Sequence, residues 1–191
     1  MIILITGKSG SGKTFIANKI ASYFNLEVIS LDKISHDTLK FPDIIDTIKT
    51  QFGEDIIENN IINRKKLGKI VFNNPDKLKL LNDLVQAKME SQIDKILENK
   101  AKNYILEYLL LPKMKYFKMA DCRILIKSDD HLRKSRIIKR DNISEEYFYE
   151  RENNSIEFDE ELFDIIVHND NNLDLEKLAN KIKEILCLEK L

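Results

Sequence analysis

The sequence predicts an α/β fold of three layers, in which a parallel β-sheet has helices on both faces. Short apolar segments alternate with longer stretches of helical periodicity, which is the pattern of strands joined by helical crossovers. Between the second and third strands, residues 42–98 read as almost wholly helical. We expect that stretch to be a helical insertion without strands. The predicted strands are 1–6, 26–31, 103–111, 121–127 and 163–168.

The first strand runs directly into a glycine-rich loop. Segment 7–14 matches the P-loop spacing G-x-x-x-x-G-K-[ST], and a helical pattern follows over 13–24. Such a loop lets backbone N–H groups approach a phosphate chain, and the helix adds the positive end of its dipole. Lys13 is expected at the β- and γ-phosphates of ATP, and the Thr14 hydroxyl is expected to ligate Mg²⁺. The motif indicates a P-loop NTPase-type fold, and its phosphate-binding candidates are Gly7, Lys8, Ser9, Gly10, Ser11, Gly12, Lys13 and Thr14.

Two acidic residues are site candidates, and the first, Asp32, stands at the carboxyl end of the predicted strand 26–31, at the edge where open α/β folds bind ligands. Asp32 either orients or deprotonates an acceptor hydroxyl, or caps the helix that begins near Lys33. Glu107 lies within an apolar run. It either belongs to the Mg²⁺ shell, as a Walker B carboxylate does, or contacts the acceptor, or is an exposed edge residue.

Charge separates sharply in the C-terminal part of the chain. Residues 113–140 carry ten Lys or Arg against three acids, and residues 141–176 carry thirteen acids against one Arg. A helix over 129–140 places Arg136 and Arg140 on one face, four residues apart. The segment is either a lid, about 131–158, whose arginines close on the transferred phosphoryl group, or a solvated, salt-bridged helix pair. Next to a P-loop, we favour the lid.

Composition limits the partners of the protein. The 191 residues have a formal net charge of −1, so neither nucleic acid nor an anionic membrane is an expected partner. The sequence contains no recognisable secretory signal and no apolar stretch long enough to span a bilayer. Cys122 and Cys187 lack metal or redox spacing and suit a reducing cytoplasm as free thiols. The scattered His36, His131 and His168 indicate no metal site. We expect a cytoplasmic monomer.

The order of motifs resembles the dephospho-coenzyme A kinase family over most of the chain. Beyond the P-loop, the resemblance rests on segments 29–36, 52–56, 63–72, 136–141 and 164–169. It implies ATP-dependent, Mg²⁺-assisted phosphorylation of the ribose 3′-hydroxyl of dephospho-coenzyme A.

Matching positions imply individual roles. Asp32 acts on the 3′-hydroxyl, Arg64 lies on the acceptor side, Arg136 and Arg140 are lid arginines, and Asn169 lies in a nucleotide-side loop. The implied organisation is one domain, with a core of 1–36, 101–130 and 160–191, a helical substrate region of about 37–100, and the lid.

Four features depart from the family pattern. Ser30 replaces the first acid of D-x-D, and Val85-Gln86 stand near the expected His-Pro. Segment 107–111 lacks the proline of D-x-P-L-L, and the glutamine expected after Arg151 is replaced near Ser155. Two alternatives therefore stay open: another small P-loop kinase acting on a nucleoside or nucleoside monophosphate, and a degenerate nucleotide-binding module without an acceptor. The D-x-x-G and N-K-x-D motifs of a GTPase switch are absent from the sequence.

Overall fold

The computed structural model describes residues 1–59, 61–71, 74–153, 155–170 and 173–187. Parts of the predicted segments 42–98, 63–72, 131–158 and 160–191 lie outside these ranges, namely Asn60, Phe72, Asn73, Asn154, Asn171, Asn172 and residues 188–191. The strands are β1 (Ile2–Thr6), β2 (Glu27–Ser30), β3 (Ile57–Glu58), β4 (Ile61–Ile62), β5 (Tyr104–Glu107), β6 (Cys122–Lys127) and β7 (Ile165–His168). The helices are α1 (Lys13–Phe24), α2 (Leu31–Thr38), α3 (Pro42–Phe52), α4 (Arg64–Val71), α5 (Pro75–Leu97), α6 (Tyr116–Met119), α7 (Asp130–Asp141), α8 (Glu145–Asn153) and α9 (Leu175–Ile185). None of the helices within these ranges is long and apolar enough to cross a membrane.

The chain divides into two compact units. The first comprises Met1–Ser30 and Ala101–Leu191, and the second comprises Leu31–Lys100. The division falls at the end of β2, whereas the sequence division kept 31–36 with the core. The physical reason is that α2 belongs to the second helical unit, where Gln92 of α5 donates a hydrogen bond to the Thr38 hydroxyl at 3.0 Å.

The first unit is built on a five-stranded parallel sheet with strand order β2-β5-β1-β6-β7. The central strand β1 pairs with β5 on one side and β6 on the other, with Ile5 opposite both Glu107 and Ile124. Helices α1 and α9 contribute Ile16 and Ile182 to the apolar core that covers this sheet. All carboxyl ends therefore meet at one edge, and the predicted α/β P-loop fold is confirmed.

The second unit is mainly helical and has its own apolar core, which includes Ile44, Ile48 and Leu67. Local sequence signals set the starts of its helices. Pro42 begins α3, and the Asn74 side chain caps α5 by accepting a hydrogen bond from the Lys77 N–H at 3.1 Å. An asparagine before a first-turn proline is a strong helix start because the proline needs no hydrogen-bond acceptor there.

The prediction that residues 42–98 contain no strand is wrong. Strands β3 and β4 pair antiparallel, with Ile57 opposite Ile62, and Asn59 adopts a left-handed φ of 52° in the turn. Two-residue strands are too short for an alternating pattern to appear in the sequence. Within segment 103–111, which the sequence predicts as a strand and its exit, strand β5 ends at Glu107 and a 3₁₀ turn follows over Leu111–Lys113.

Both cysteines are free thiols, as predicted. Cys122 lies buried in β6, and burial raises the pKa of its thiol to about 12. It therefore stays protonated and acts as a small apolar side chain in the sheet.

Candidate active site

Five successive backbone carbonyls of the P-loop, from Lys8 to Gly12, accept hydrogen bonds. The Lys8 carbonyl accepts from the Ser11 N–H at 3.2 Å, and the Gly12 carbonyl accepts from the Ile16 N–H at 3.1 Å. Between them, side chains from distant parts of the first unit bind the remaining three carbonyls. The donors are Arg133 Nε to Ser9 (2.9 Å), Arg136 Nη1 to Gly10 (3.2 Å) and Asn169 Nδ2 to Ser11 (2.8 Å).

These bonds fix the direction of the loop amides. In a trans peptide the carbonyl and the following N–H point to opposite sides. Binding of the Ser9 and Ser11 carbonyls therefore turns the N–H groups of Gly10 and Gly12 toward the inside of the loop. Backbone N–H groups that face inward at a helix N-terminus favour the binding of an anion.

Gly10 and Gly12 are positions of the loop at which glycine is required. Gly10 and Gly12 have φ values of 76° and 93°, which side-chain-bearing residues rarely adopt. A Cβ on Gly10 would lie 2.9 Å from the Arg133 carbonyl oxygen, and one on Gly12 would collide with the amide nitrogen of Asn169. The backbone of α7 and the side chain of Asn169 can approach the loop this closely only because these positions carry no Cβ.

The loop also contains a polar atom that the fold leaves unsatisfied. The Ser11 hydroxyl is buried and has no hydrogen-bond partner among the described residues. A buried hydroxyl without a partner is unfavourable unless a ligand or water supplies one. Together with the inward amides, this orphaned group shows that the residues present fit the phosphate chain of a nucleotide.

Lys13 and Thr14 occupy the first turn of α1. Lys13 is 9% exposed, and its ammonium lies 3.3 Å from the Lys8 carbonyl oxygen, across the loop. Thr14 is exposed. The lysine thus supplies a positive charge at the positive end of the helix, where an anion is already favoured.

Of the two predicted lid arginines, Arg136 reaches the P-loop and Arg140 pairs with its neighbour. Arg136 also donates to the Asn169 carbonyl at 3.3 Å and to the Ser128 hydroxyl at 3.1 Å. Arg140 has a side chain 61% exposed and forms a bidentate pair with Asp141 at 2.7 and 3.0 Å. The i, i+4 spacing therefore does not bring both guanidinium groups to one target here.

Arg133 is a site residue that the sequence reasoning did not single out. It is 2% exposed, and besides Ser9 it binds Asp130 at 2.5 Å and Glu152 at 2.6 Å. The only local signal is Ile137, four residues later on the same helix face and also buried. That spacing places Arg133 on the buried face of α7. Composition alone cannot distinguish it from the other basic residues of the helix.

Glu152 connects α8 to the P-loop. Its carboxylate binds Arg133, lies 3.4 Å from Lys8 Nζ, and accepts from the Ser155 hydroxyl at 3.2 Å. Burial alone would raise the pKa of Glu152, but Arg133 and then Lys8 hold that pKa below its ordinary value. Since Lys134 also pairs with Glu145 at 2.6 Å, α7 and α8 do form the salt-bridged pair that the sequence allowed.

A cavity of about 590 Å³ lies beside the P-loop within the first unit. Its lining includes Lys8 and Ser9 of the loop, Leu109 and Leu110 after β5, and Tyr147 and Phe148 of α8. The volume falls in the range of small-molecule sites. Helix α8 therefore covers a space that is open to a ligand at the P-loop.

Glu107 is buried at the carboxyl end of β5, opposite Ile5 and Ser30, and is 2% exposed. The interpretation of Glu107 as an exposed edge residue is wrong, because β5 lies between β1 and β2 rather than at the edge. Among the described residues, no group of three or more His, Cys, Asp or Glu is arranged to hold a metal ion.

The acceptor-side candidates Asp32 and Arg64 both belong to the second unit. Helix α2 begins at Leu31, so Asp32 lies exposed in its first turn, and the interpretation of Asp32 as an N-cap is wrong. Arg64 donates to His36, to Nδ1 at 3.1 Å and to the carbonyl oxygen at 3.2 Å. One short helix thus carries Asp32 near its start and the partner of Arg64 near its end.

A parallel sheet, a P-loop at the carboxyl end of its central strand and a helix that places Arg133 and Arg136 on that loop define a P-loop kinase. Comparison with known proteins agrees with this class and narrows it. The dephospho-CoA kinase family model matches residues 1–174. A dephospho-CoA kinase of Fusobacterium nucleatum is 31% identical over 96% of this chain and 95% of its own length. The chain belongs to the dephospho-CoA kinase family.

Solved structures give the same result. The dephospho-CoA kinase from Campylobacter jejuni is 26% identical, with a TM-score of 0.66 over 96% of this chain and 95% of that one. The crystal structure of TT1252 from Thermus thermophilus has a TM-score of 0.79 over 100% and 98% of the two chains. At 24% identity, this second likeness supports the fold alone.

Proposed function

We propose that the protein transfers the γ-phosphoryl group of ATP to the ribose 3′-hydroxyl of dephospho-CoA, giving CoA and ADP. One observation carries the proposal: the family match covers residues 1–174, and the P-loop within that range has the glycine conformations and the buried Lys13 that phosphate binding requires. The departures at Ser30 and near Ser155 leave that loop intact.

The first unit supplies the nucleotide side of the reaction. The inward amides of Gly10 and Gly12 and the Ser11 hydroxyl bind phosphate oxygens, and Lys13 neutralises charge on the β- and γ-phosphates. Arg136 and Asn169 act on this site by holding the Gly10 and Ser11 carbonyls. Arg140 is proposed to reach the transferred phosphoryl group from the lid, after exchanging its contact with Asp141.

Thr14 is the residue proposed to hold Mg²⁺, and Glu107 is proposed to act beside it. The Thr14 hydroxyl is a hard oxygen ligand at the start of α1, and Glu107 is a buried carboxylate at the same sheet edge. When bound, Mg²⁺ would neutralise charge that develops on the phosphate oxygens. Glu107 binds either a water of the magnesium shell or the acceptor.

The second unit supplies the acceptor side. Asp32 is proposed to orient the 3′-hydroxyl and accept its proton, which requires a carboxylate accessible to the ligand. Its exposure in the first turn of α2 meets that requirement. Arg64 is proposed to bind an anionic group of the acceptor through the donors that remain after its contacts with His36.

Two variants test the division of roles. Lys13→Ala should abolish turnover, because it removes the charge at the β- and γ-phosphates. Asp32→Asn should lower kcat by about 10²-fold or more while leaving the Kd of ATP unchanged, because general base catalysis contributes about 10²–10⁴-fold. The measurements are steady-state kinetics and calorimetric titration with ATP, and normal turnover in Asp32→Asn would remove the proposed role of this carboxylate.

A panel of acceptors tests the reaction itself. ADP release is measured with dephospho-CoA, with nucleosides and with nucleoside monophosphates at equal concentration. Dephospho-CoA should stimulate release strongly, and an equimolar amount of CoA should form. Strong stimulation by a nucleoside monophosphate alone would identify a different small-molecule kinase, and slow hydrolysis indifferent to every acceptor would identify a nucleotide-binding module.

A further inference from the structure

We propose that Arg133 is a positioning residue for the P-loop, and that its two ends have separate tasks. The Nε end holds the Ser9 carbonyl and so orients the loop for phosphate binding. The Nη2 end holds Glu152 and so fixes helix α8. This proposal concerns the nucleotide side only and does not depend on which acceptor receives the phosphoryl group.

The first task follows from the geometry of the loop. The Ser9 carbonyl oxygen lies 2.9 Å from Arg133 Nε, across 124 positions of the sequence. Loss of this bond would free the Ser9–Gly10 peptide to rotate, and the Gly10 N–H would no longer be held toward the phosphate site. Gly10 is the position at which rotation is easiest, because it carries no Cβ.

Burial makes the guanidinium suited to this purpose. Arg133 is 2% exposed, and a buried cation is tolerated only when it is paired and hydrogen-bonded. All three of its nitrogen atoms have acceptors, namely Ser9, Asp130 and Glu152. A planar fork with fixed donors can satisfy three acceptors in one geometry, which a lysine ammonium on a flexible stem cannot reproduce.

The second task follows from the partners of Glu152. This carboxylate binds Arg133 through one oxygen, and through the other it receives the Ser155 hydroxyl and faces Lys8. Lys8 is itself held by Glu157 at 2.5 Å. Glu152 is therefore the residue through which α8 is attached to Arg133 and to the P-loop, and its removal should loosen α8 while the Nε bond persists.

The test compares three charge-removing variants in the nucleotide-free protein and with ADP. Arg133→Gln breaks both ends. Glu152→Gln removes the charge that binds the Nη2 end and faces Lys8, and it leaves the Nε bond to Ser9 in place. Lys139→Gln removes the same charge as Arg133→Gln from the exposed face of α7 and is the matched control. ADP affinity is measured by calorimetry, amide hydrogen exchange by mass spectrometry, and thermal unfolding verifies that each variant folds. Arg133→Lys, which keeps the charge and the stem, replaces Arg133→Gln if the latter does not fold.

Arg133→Gln should raise the Kd of ADP about tenfold, as expected for loss of one charge-assisted hydrogen bond, and should speed amide exchange in residues 8–12. The KM for ATP should rise similarly, with kcat at saturating ATP within about twofold of the parent. Glu152→Gln should keep the Kd of ADP within about twofold of the parent value, because the Arg133–Ser9 bond remains. It should speed amide exchange in α8, because the charge-assisted bond between Arg133 and Glu152 is lost. Lys139→Gln should change neither quantity.

Several results would overturn the proposal. An unchanged ADP affinity in Arg133→Gln would show that Arg133 does not orient the P-loop for phosphate binding. An equal loss of ADP affinity in Lys139→Gln would show that the effect comes from the net charge of the protein and not from the Arg133 contacts. A fall in kcat with unchanged KM for ATP would mean that Arg133 contacts the reacting phosphoryl group directly. Loss of ADP affinity in Glu152→Gln as large as in Arg133→Gln would show that the two ends do not act separately.

Discussion

At the scale of single residues, Gly12 shows how a missing side chain becomes part of a binding site. Its φ of 93° and the approach of the Asn169 amide both exclude a Cβ. The amide then lies close enough to bind the Ser11 carbonyl at 2.8 Å. The glycine thus contributes both the loop conformation and the space for the residue that supports the loop.

We expect Gly12→Ala to lower both stability and nucleotide affinity. Backbone strain at a positive φ amounts to about 1–3 kcal/mol, and the displaced Asn169 would release the Ser11 carbonyl. Gly53→Ala is the matched control, since Gly53 has a φ of 103° but a Cβ added there would meet no atom within 4 Å. It should lose similar stability in urea denaturation and bind ADP normally. Equal loss of ADP affinity in both variants would contradict the role given to Asn169.

At the scale of helices and strands, local chemistry was a good guide to where elements begin. Asn74 and Ser144 are of the residue types that cap helices, and both do so here: Asn74 accepts from the Lys77 N–H at 3.1 Å and Ser144 from the Tyr147 N–H at 3.2 Å. Capping depends on residues within one turn, so it is readable from sequence. The β3–β4 hairpin was missed because its strands are two residues long.

The hydrogen-bond partners of long side chains could not be predicted from the sequence in this way. Arg133, Arg136 and Arg140 lie on one predicted helix, and the sequence favoured the latter two for their spacing. The structure places Arg133 and Arg136 on the P-loop, while Arg140 pairs with Asp141. Which carbonyl an arginine reaches depends on contacts more than a hundred residues away in the chain, and helical periodicity contains no information on them.

The cap of α7 gives a prediction at this scale. Asp129 accepts hydrogen bonds from the N–H groups of His131 and Leu132 at 2.9 and 3.3 Å. Asp129→Ala should lower the free energy of unfolding by about 1 kcal/mol. Because α7 carries Arg133 and Arg136, we also expect the Kd of ADP to rise about threefold, a fraction of what loss of one complete hydrogen bond produces.

Two control variants separate the causes. Asn74→Ala removes an equivalent cap from α5 in the other unit, and should lose similar stability without a change in ADP affinity. Asp129→Asn removes the charge but retains capping ability, and should resemble the parent protein. If Asp129→Ala loses stability and binds ADP normally, α7 does not position the P-loop through its first turn.

At the scale of the whole molecule, the net charge is near zero because acidic and basic side chains are nearly equal in number, and many of them form ion pairs. Basic partners lower the pKa of several carboxyl groups below the ordinary values of 3.8 for Asp and 4.5 for Glu. Acidic partners likewise raise the pKa of Lys49, Lys102 and Lys134 above 10.5. The carboxyl groups are Asp37, Asp43, Glu54, Glu58, Glu145 and Glu152.

The direction of each shift determines how stability depends on pH. A carboxyl group with a lowered pKa in the folded state stabilises the protein above its unfolded pKa, and that stability is lost as pH falls through the folded value. A lysine with a raised pKa stabilises below 10.5 and loses its effect as pH rises further. We therefore expect the urea midpoint to be flat around neutrality and to fall below about pH 4.5 and above about pH 10.5.

Salt distinguishes Glu152 from the other carboxyl groups. At about 1 M ionic strength the screening length is roughly 3 Å, so exposed pairs such as Lys49–Glu54 should contribute little to the acid decline. Glu152 is bound by a guanidinium that is 2% exposed, and its contribution should persist. At high salt, the fall of the urea midpoint at acid pH should therefore be smaller in Glu152→Gln than in the parent protein. It should be unchanged in Glu146→Gln, an exposed substitution on the same helix. Urea denaturation across acid pH at low and high salt measures this difference, and identical curves for the two variants would show that the Arg133–Glu152 pair is screened like a surface contact.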